Sequence, residues 1–314
     1  MTRFLLRRLA LTIPILIGVS IVMFITIKIT PGDPVASLLG PTGSPEARVA
    51  LTEKLGLDRP LIVQYAKWFG NILQGDAGIS IARQTGALGL VWDAMQNTLV
   101  LAGFAAILAM VVGVTIGLTA AVYPDSVLAR VVSGFSLFAI SVPQYSLALI
   151  SIVYLAANLG WFPTGGMNDP SGEGGLGDLL HHLWLPGIAS ALVPLGIIAR
   201  MVRSAMIDAL NEDYIEALRS RGLPRSTVTR HAFHNAIPGI LTIAGLQAGY
   251  LLGGVVFVET VFSWPGMGLL IFQSISQRDL PVIQAGVLLS ALAFVLINLV
   301  VDTIQASIDP RLRR

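Results

Sequence analysis

Three observations on this 314-residue chain predict an all-α, polytopic membrane protein with six transmembrane helices. Hydrophobic residues make up 54% of the chain, charged residues only 12%, and the apolar residues gather into six long runs. A water-soluble domain of this composition would have no place to bury helices that are apolar all round. The runs lie near residues 9–29, 98–122, 131–157, 184–204, 237–258 and 282–304. At about 1.5 Å per residue, each is long enough to cross a hydrocarbon layer roughly 30 Å thick.

The first run is preceded by Arg3, Arg7 and Arg8, which is also how a secretory signal begins. It is too long for a signal core, no small-residue cleavage site follows it, and five more spans come after. Residues 1–30 are therefore expected to be an uncleaved anchor helix. Residues 31–97 read as a small helical extracytoplasmic insertion between the first two spans. Ser44 and Pro45 cap and start one helix that ends near Gly56, and Pro60 starts a second that ends at Gly75. The second places Ile62, Tyr65, Trp68, Phe69, Ile72 and Leu73 at helical spacing, the face of a cap packed on the outer mouth.

Residues 98–314 form the expected five-helix core. Prolines interrupt its runs at Pro143, Pro186 and Pro194, and Arg200 and Arg203 fall at the end of the fourth span. The Gly-rich stretch 160–180 has no preceding strand and no following GK[ST], so it reads as a flexible outer loop and not a phosphate cradle. After the fifth span, Trp264-Pro265-Gly266-Met267-Gly268 spells a turn with the indole at the outer interface. The apolar stretch 269–275 behind it is an outer gate or a plain connector.

Basic residues set the orientation. With six spans both termini share a side, which collects Arg3, Arg7, Arg8, Arg130, Arg200, Arg203, Arg219, Arg221, Arg225, Arg230, Arg311, Arg313 and Arg314. The three lysines, Lys28, Lys54 and Lys67, lie on the other side. The arginine-rich side is cytoplasmic, since short basic segments stay inside whereas long ones translocate regardless of charge. The basic balance thus reports topology and calls for no nucleic acid.

Between the fourth and fifth spans, residues 205–237 form the longest cytoplasmic segment. Its centre reads as a rod over residues 212–221, about 15 Å long. Asn211 is a good N-cap, Glu212 and Asp213 suit the first turn, Arg219 and Arg221 the last, and Gly222 and Pro224 end it. Tyr214, Ile215 and Leu218 share one side, and Glu216 stands close enough to Arg219 to pair. A helix this short is not stable alone in water. It must lie on the chain's own helices, on another protein or on the lipid surface. Ala217 permits close approach, Glu216 supplies a charged contact, and Gly222 allows a tight reversal.

The chain carries little chemistry of its own. It has no GxxxxGK[ST] motif for a nucleotide, and the absence of cysteine excludes disulfides and thiolate metal sites. The centres of the spans hold no Asp, Glu, Lys, Arg or His, which disfavours a proton- or sodium-coupled secondary transporter. A passive channel is the other alternative. An intramembrane protease would need histidine or paired aspartates at depth, whereas His181 and His182 fall outside and His231 and His234 in the cytoplasmic segment. No catalytic residue and no metal site is expected; His231 and His234 read as solvated rather than as metal ligands. Asn97, Thr98, Ser141, Gln144, Gln247, Tyr250 and Asn298 are polar groups within apolar helices, and either line a wet path or bond between helices. Gln144, Gln247, Tyr250 and Asn298 are the nominated path residues. Gly245, Gly249, Gly253 and Gly254 flank the Gln247–Tyr250 pair and suit close helix approach.

The stretch Tyr214-Ile215-Glu216-Ala217-Leu218-Arg219-Ser220-Arg221-Gly222 resembles the Glu-Ala-Ala, three residues, Gly motif of binding-protein-dependent ABC importer permeases. Pro31-Gly32-Asp33-Pro34, Leu55-Gly56-Leu57-Asp58-Arg59-Pro60, Gly75-Asp76-Ala77-Gly78, Phe262-Ser263-Trp264-Pro265-Gly266-Met267-Gly268 and Asp309-Pro310-Arg311 are similar to the peptide and nickel branch of that family, in order along the chain. Leu218 departs from the second Ala, and Ala236-Ile237-Pro238 stands where the closing section has a Leu. The resemblance implies a permease subunit, not an enzyme, in the bacterial cytoplasmic (inner) membrane. It implies ATPase coupling through Asp213, Tyr214, Glu216, Ala217, Arg219, Arg221 and Gly222. Glu259, at the outer end of the fifth span, and Trp264 are nominated by position to meet a delivery protein, with a simple interfacial pairing as the alternative for Glu259. The partners the resemblance implies are a second homologous permease, two ATPase subunits that carry ATP and Mg, and an extracytoplasmic substrate-binding protein. Dipeptides or oligopeptides are the expected cargo, with nickel chelates and glutathione as alternatives.

Overall fold

The computed structural model of the chain describes residues 2–29, 44–55, 58–170 and 174–308. The Pro31–Pro34 stretch, Gly56, Leu57 and the Asp309-Pro310-Arg311 ending, with Arg313 and Arg314, lie outside them. Among the described residues the secondary structure is helical. The elements are α1 (Thr2–Ile29), α2 (Pro45–Leu55), α3 (Leu61–Leu73), α4 (Ala87–Val122), α5 (Val127–Ser141) and α6 (Gln144–Ser151), the last continuing as a π-helical stretch, Ile152–Asn158. Then follow α7 (Leu176–Leu210), α8 (Asp213–Ser220), α9 (Arg225–Val261), α10 (Met267–Gln277) and α11 (Leu280–Ile308). Among the described residues, helices α1, α4, α7, α9 and α11 are each long and apolar enough to cross a membrane, and the bent pair α5 and α6 brings the candidate spans to six when the pair is taken as one span.

That sixth span is not the straight helix expected over 131–157: its two halves meet at 101°. Pro143 has no N–H for a ladder bond, and its ring drives Val142 out of the helical region, to φ −84° and ψ 127°. Pro186 and Pro194 carry the same handicap, yet α7 runs through both. Enclosure by neighbours does not account for the difference: 67% of the apolar window of α7 is buried, but α1 and α9 also run through a proline, Pro14 and Pro238, with only 17% and 28% buried. Arg200 and Arg203 do not end that helix, which continues to Leu210. Pro238 likewise sits inside α9, so the segment 205–237, expected to be cytoplasmic, is mostly the ends of α7 and α9 with α8 between them.

By contact the chain forms two compact units. One joins Thr98–Pro265 to Met1–Leu5 and Ile297–Arg314; the other joins Leu6–Asn97 to Gly266–Leu296. Contact thus groups residues 266–296 with the region of the insertion instead of with the 98–314 stretch.

In the first unit α7 is the hub. Gly113 and Gly117, four apart on α4, face Ile198, Ala199 and Val202, and a Cβ at Gly117 would stand 2.5 Å from the carbonyl oxygen of Ala199. Gly196 faces Ala139 and Ser136 of α5, and Gly245 of α9 faces Val301 and Gln305 of α11. Lipid tails supply no hydrophobic drive between helices, so close backbone approach through such small residues is what gains dispersion contacts. The glycine-rich loop is not wholly flexible: the N–H of Gly166 donates to the carbonyl of Phe262 at 2.8 Å, and Gly165 leaves no room for a Cβ against the same carbonyl.

In the second unit α2 starts with Ser44 Oγ accepting from the N–H of Ala47, and α3 starts after Pro60. The α3 face lies against α1. Tyr65 and Trp68 pack on Phe24 with ring centroids 5.5 and 5.8 Å away, Tyr65 stacks on Phe69, and the Tyr65 hydroxyl bonds to that of Ser20 at 2.7 Å. Ile62 and Leu73, expected on this face, are 82% and 73% exposed. A second fastening is made by Asp279, 2% exposed, whose carboxylate accepts from Ser80 Oγ and from the N–H groups of Ile81 and Ala82.

Candidate coupling and translocation sites

Helix α8 is framed differently from the expectation. Asn211 is not its N-cap; it closes α7, its N–H donating to the carbonyls of Ile207 and Asp208. Glu212 occupies the cap position without a side-chain bond, and Arg221 is the C-cap. Asp213 and Glu216 still fall in the first turn and Arg219 in the last, where each charge suits the helix dipole. Gly222 takes a φ of +75°, the left-handed conformation that lets the chain reverse into Pro224 and α9.

One side of this rod is anchored and the other is free. Ile215 is fully buried in a cluster with Met206 and Ala209 of α7 and Val228 and Ala232 of α9, and Leu218 packs against it. Burying such a side chain contributes about 1.5–3 kcal/mol, enough to hold a helix too short to persist alone. Asp213, Tyr214, Glu216, Ala217, Arg219, Arg221 and Gly222 are all exposed. Tyr214, expected beside Ile215, is thus on the free side, and no ion pair joins Glu216 to Arg219 among the described residues. A shallow cavity of about 380 Å³ opens beside the rod, lined by Glu212, Tyr214, His231, His234, Asn235 and Pro238. His231, His234 and Glu212 border the same cavity without converging, and no group of three side chains placed to hold a metal ion occurs among the described residues.

The nominated path residues separate into two cases. Gln144, at the first turn of α6, and Gln247 and Tyr250 of α9 come from elements packed together: Gln144 Oε1 and the Tyr250 ring both lie 3.4 Å from where a Cβ of Gly254 would be. Gln144 Nε2 and Gln247 Oε1 are buried and have no hydrogen-bond partner among the described residues. Asn298 of α11 is half-buried and engaged within the fold.

Glu259 and Trp264 are placed differently from the expectation. Both are fully buried, so neither offers a surface to a delivery protein. Thr98 Oγ1 donates to Glu259 Oε1 at 2.6 Å, and the N–H of Trp264 donates to the Glu259 carbonyl at 2.8 Å. The indole fills a core with Val258, Phe262 and Leu185. A carboxylate and an indole near a span end suggest an interface from composition alone; Glu259 is on a buried face of α9, and the turn at Ser263, with φ +48°, leads to the buried indole. Sequence reasoning also left Ile215 out of the site, although its place opposite Glu216 and Ala217 on a short helix was the available signal.

Comparison with known proteins adds to this geometry. Residues 113–314 match the family described as "Binding-protein-dependent transport system inner membrane component", and residues 1–116 match its N-terminal counterpart. The dipeptide transport system permease protein DppB of Alkalihalophilus pseudofirmus is 39% identical over 332 residues, covering 100% of both chains. The oligopeptide transport system permease protein AppB of Bacillus subtilis is 39% identical over 314 residues, covering 99% of each. The di/tripeptide transport system permease protein DppB of Pseudomonas aeruginosa is 38% identical over 333 residues, covering 100% of this chain and 99% of the relative. Among solved structures, an inward-facing form of the MetNI methionine ABC transporter aligns with 70% of this chain and 96% of its own, at a TM-score of 0.57 and 21% identity. That likeness concerns the fold.

Proposed function

The chain belongs to the binding-protein-dependent transport system inner membrane components, and from that premise we propose that it forms half of the translocation path of an ATP-driven importer of dipeptides or oligopeptides. In this reading it sits in the bacterial cytoplasmic membrane with both termini inside. A second homologous permease completes the path, two ATPase subunits carry ATP and Mg, and an extracytoplasmic binding protein delivers the peptide. The cargo is inferred from relatives named for dipeptide and oligopeptide transport.

The observation that carries the coupling role is the two-sided rod α8. Ile215 roots it between α7 and α9, while Asp213, Tyr214, Glu216, Ala217 and Arg219 are presented outward. A push on that exposed side reaches two membrane helices directly, since only residues 211–212 and 221–224 intervene. Motion of an ATPase subunit is thereby converted into relative movement of α7 and α9, which is what alternating access requires. Arg221 and Gly222 close the rod and set the angle of the return. Glu216 offers a charge to a basic partner group.

The test is a pull-down followed by transport. An Ala217→Cys variant is expected to crosslink to an ATPase subunit in native membranes. Peptide uptake into vesicles is expected to stop when ATP is withheld. Uptake that continues without ATP, with no nucleotide-hydrolysing subunit crosslinked, would reduce the chain to a passive channel.

A further inference from the structure

We infer that Gln144 and Gln247 form a station that reads the peptide backbone of the cargo as it passes; this rests on the peptide-importer reading above. The station is a strip where the broken span meets α9. Gln247, Tyr250 and Gly254 fall on one face of α9, about 10 Å from end to end at 1.5 Å per residue. Gln144 enters the strip from α6, immediately after the break at Pro143, and its Oε1 and the Tyr250 ring both border the place where a Cβ of Gly254 would stand. Gly254 keeps that place open.

Two features identify the cargo chemistry. First, Gln144 Nε2 and Gln247 Oε1 are buried and make no hydrogen bond among the described residues. A buried polar group without a partner is costly, so two of them on converging elements mark a position where an arriving molecule supplies the bonds. One is a donor and the other an acceptor, the pair that a peptide bond answers with its C=O and N–H. Second, the strip contains no ionisable side chain other than the Tyr250 phenol. It cannot hold a charged terminus or a metal chelate by charge, so what it recognises is common to peptides of any side-chain sequence. The helix interruption at Pro143 supports the same location, because a span broken at membrane depth is tolerated where it lines a cavity.

The experiment uses the complete importer in proteoliposomes with saturating loaded binding protein. It compares uptake of dialanine with that of an isostere whose one peptide bond is a trans alkene, which keeps the shape and removes donor and acceptor. Wild-type importer is expected to move the parent about tenfold faster than the isostere at saturation. Gln144→Met and Gln247→Met, which keep side-chain length without the amide, are expected to slow the parent about tenfold and bring the ratio near one. Co-purification with the ATPase subunits at wild-type yield checks folding, and the wild-type ratio needs no variant at all. Equal transport of parent and isostere by wild type, or a ratio unchanged in both variants, overturns the station while leaving a peptide importer. An importer that moves a different solute and no peptide overturns the underlying reading as well.

Discussion

Gly222 is constrained by backbone conformation alone. Its φ is +75°, and a Cβ there would meet nothing within 4 Å. A larger side chain would therefore be refused by the backbone and not by a neighbour. Gly222→Val should cost about 1–2 kcal/mol of local strain and shift the rod, whereas Gly222→Asn, which tolerates the left-handed region, should cost less. The expected outcome is that the Val variant inserts and hydrolyses ATP without matching uptake, while the Asn variant keeps most of its coupling; the ratio of peptide moved to ATP hydrolysed measures it. Gly117 presents the opposite situation, since its conformation is ordinary but an added methyl would meet the Ala199 backbone at 2.5 Å. Gly117→Ala should cost about 1–3 kcal/mol through overpacking and lower the detergent melting temperature, with no special effect on coupling.

Single elements are decided by what they lean on. The rod α8 rests on Ile215, and Ile215→Ala should remove about 2–5 kcal/mol of anchoring. Crosslinking from Ala217→Cys to an ATPase subunit is then expected to fall while the six spans remain inserted; undiminished crosslinking and uptake would show that the rod is held by its partner instead. The bent span rests on Pro143. Spin labels at Arg130 and Tyr154, both exposed, would be about 36 Å apart at the backbone if the span were one straight helix. The native distance should be clearly shorter, and Pro143→Ala should lengthen it as the missing ladder bond becomes available.

For the whole molecule, the decisive property is which side of the bilayer each end of the bundle faces. The chain has no cysteine, so single cysteines report accessibility without background. Arg83→Cys, in the exposed turn before α4, should react with a membrane-impermeant maleimide in intact cells. Arg225→Cys, at the start of α9, should react only after the membrane is opened. The reverse pattern would invert the orientation and remove α8 from the cytoplasm.

What the residues determine by themselves is whatever depends on composition and local backbone chemistry. The six apolar runs, the helix starts at Pro45 and after Pro60, the stop at Gly222 and the short charged rod are legible because chain hydropathy, capping and φ preferences act within a few neighbours. Which proline breaks a helix is not legible. Pro143 does, whereas Pro14, Pro186, Pro194 and Pro238 sit inside continuous helices although each lacks the same ladder bond. Nor is the fate of Glu259 and Trp264, polar-looking markers of an interface that the fold turns inward against Thr98 and the Phe262 core. The unanswered amides of Gln144 and Gln247 exist only once two distant helices meet. Burial and hydrogen-bond satisfaction are properties of contacts between segments, and those belong to the tertiary structure.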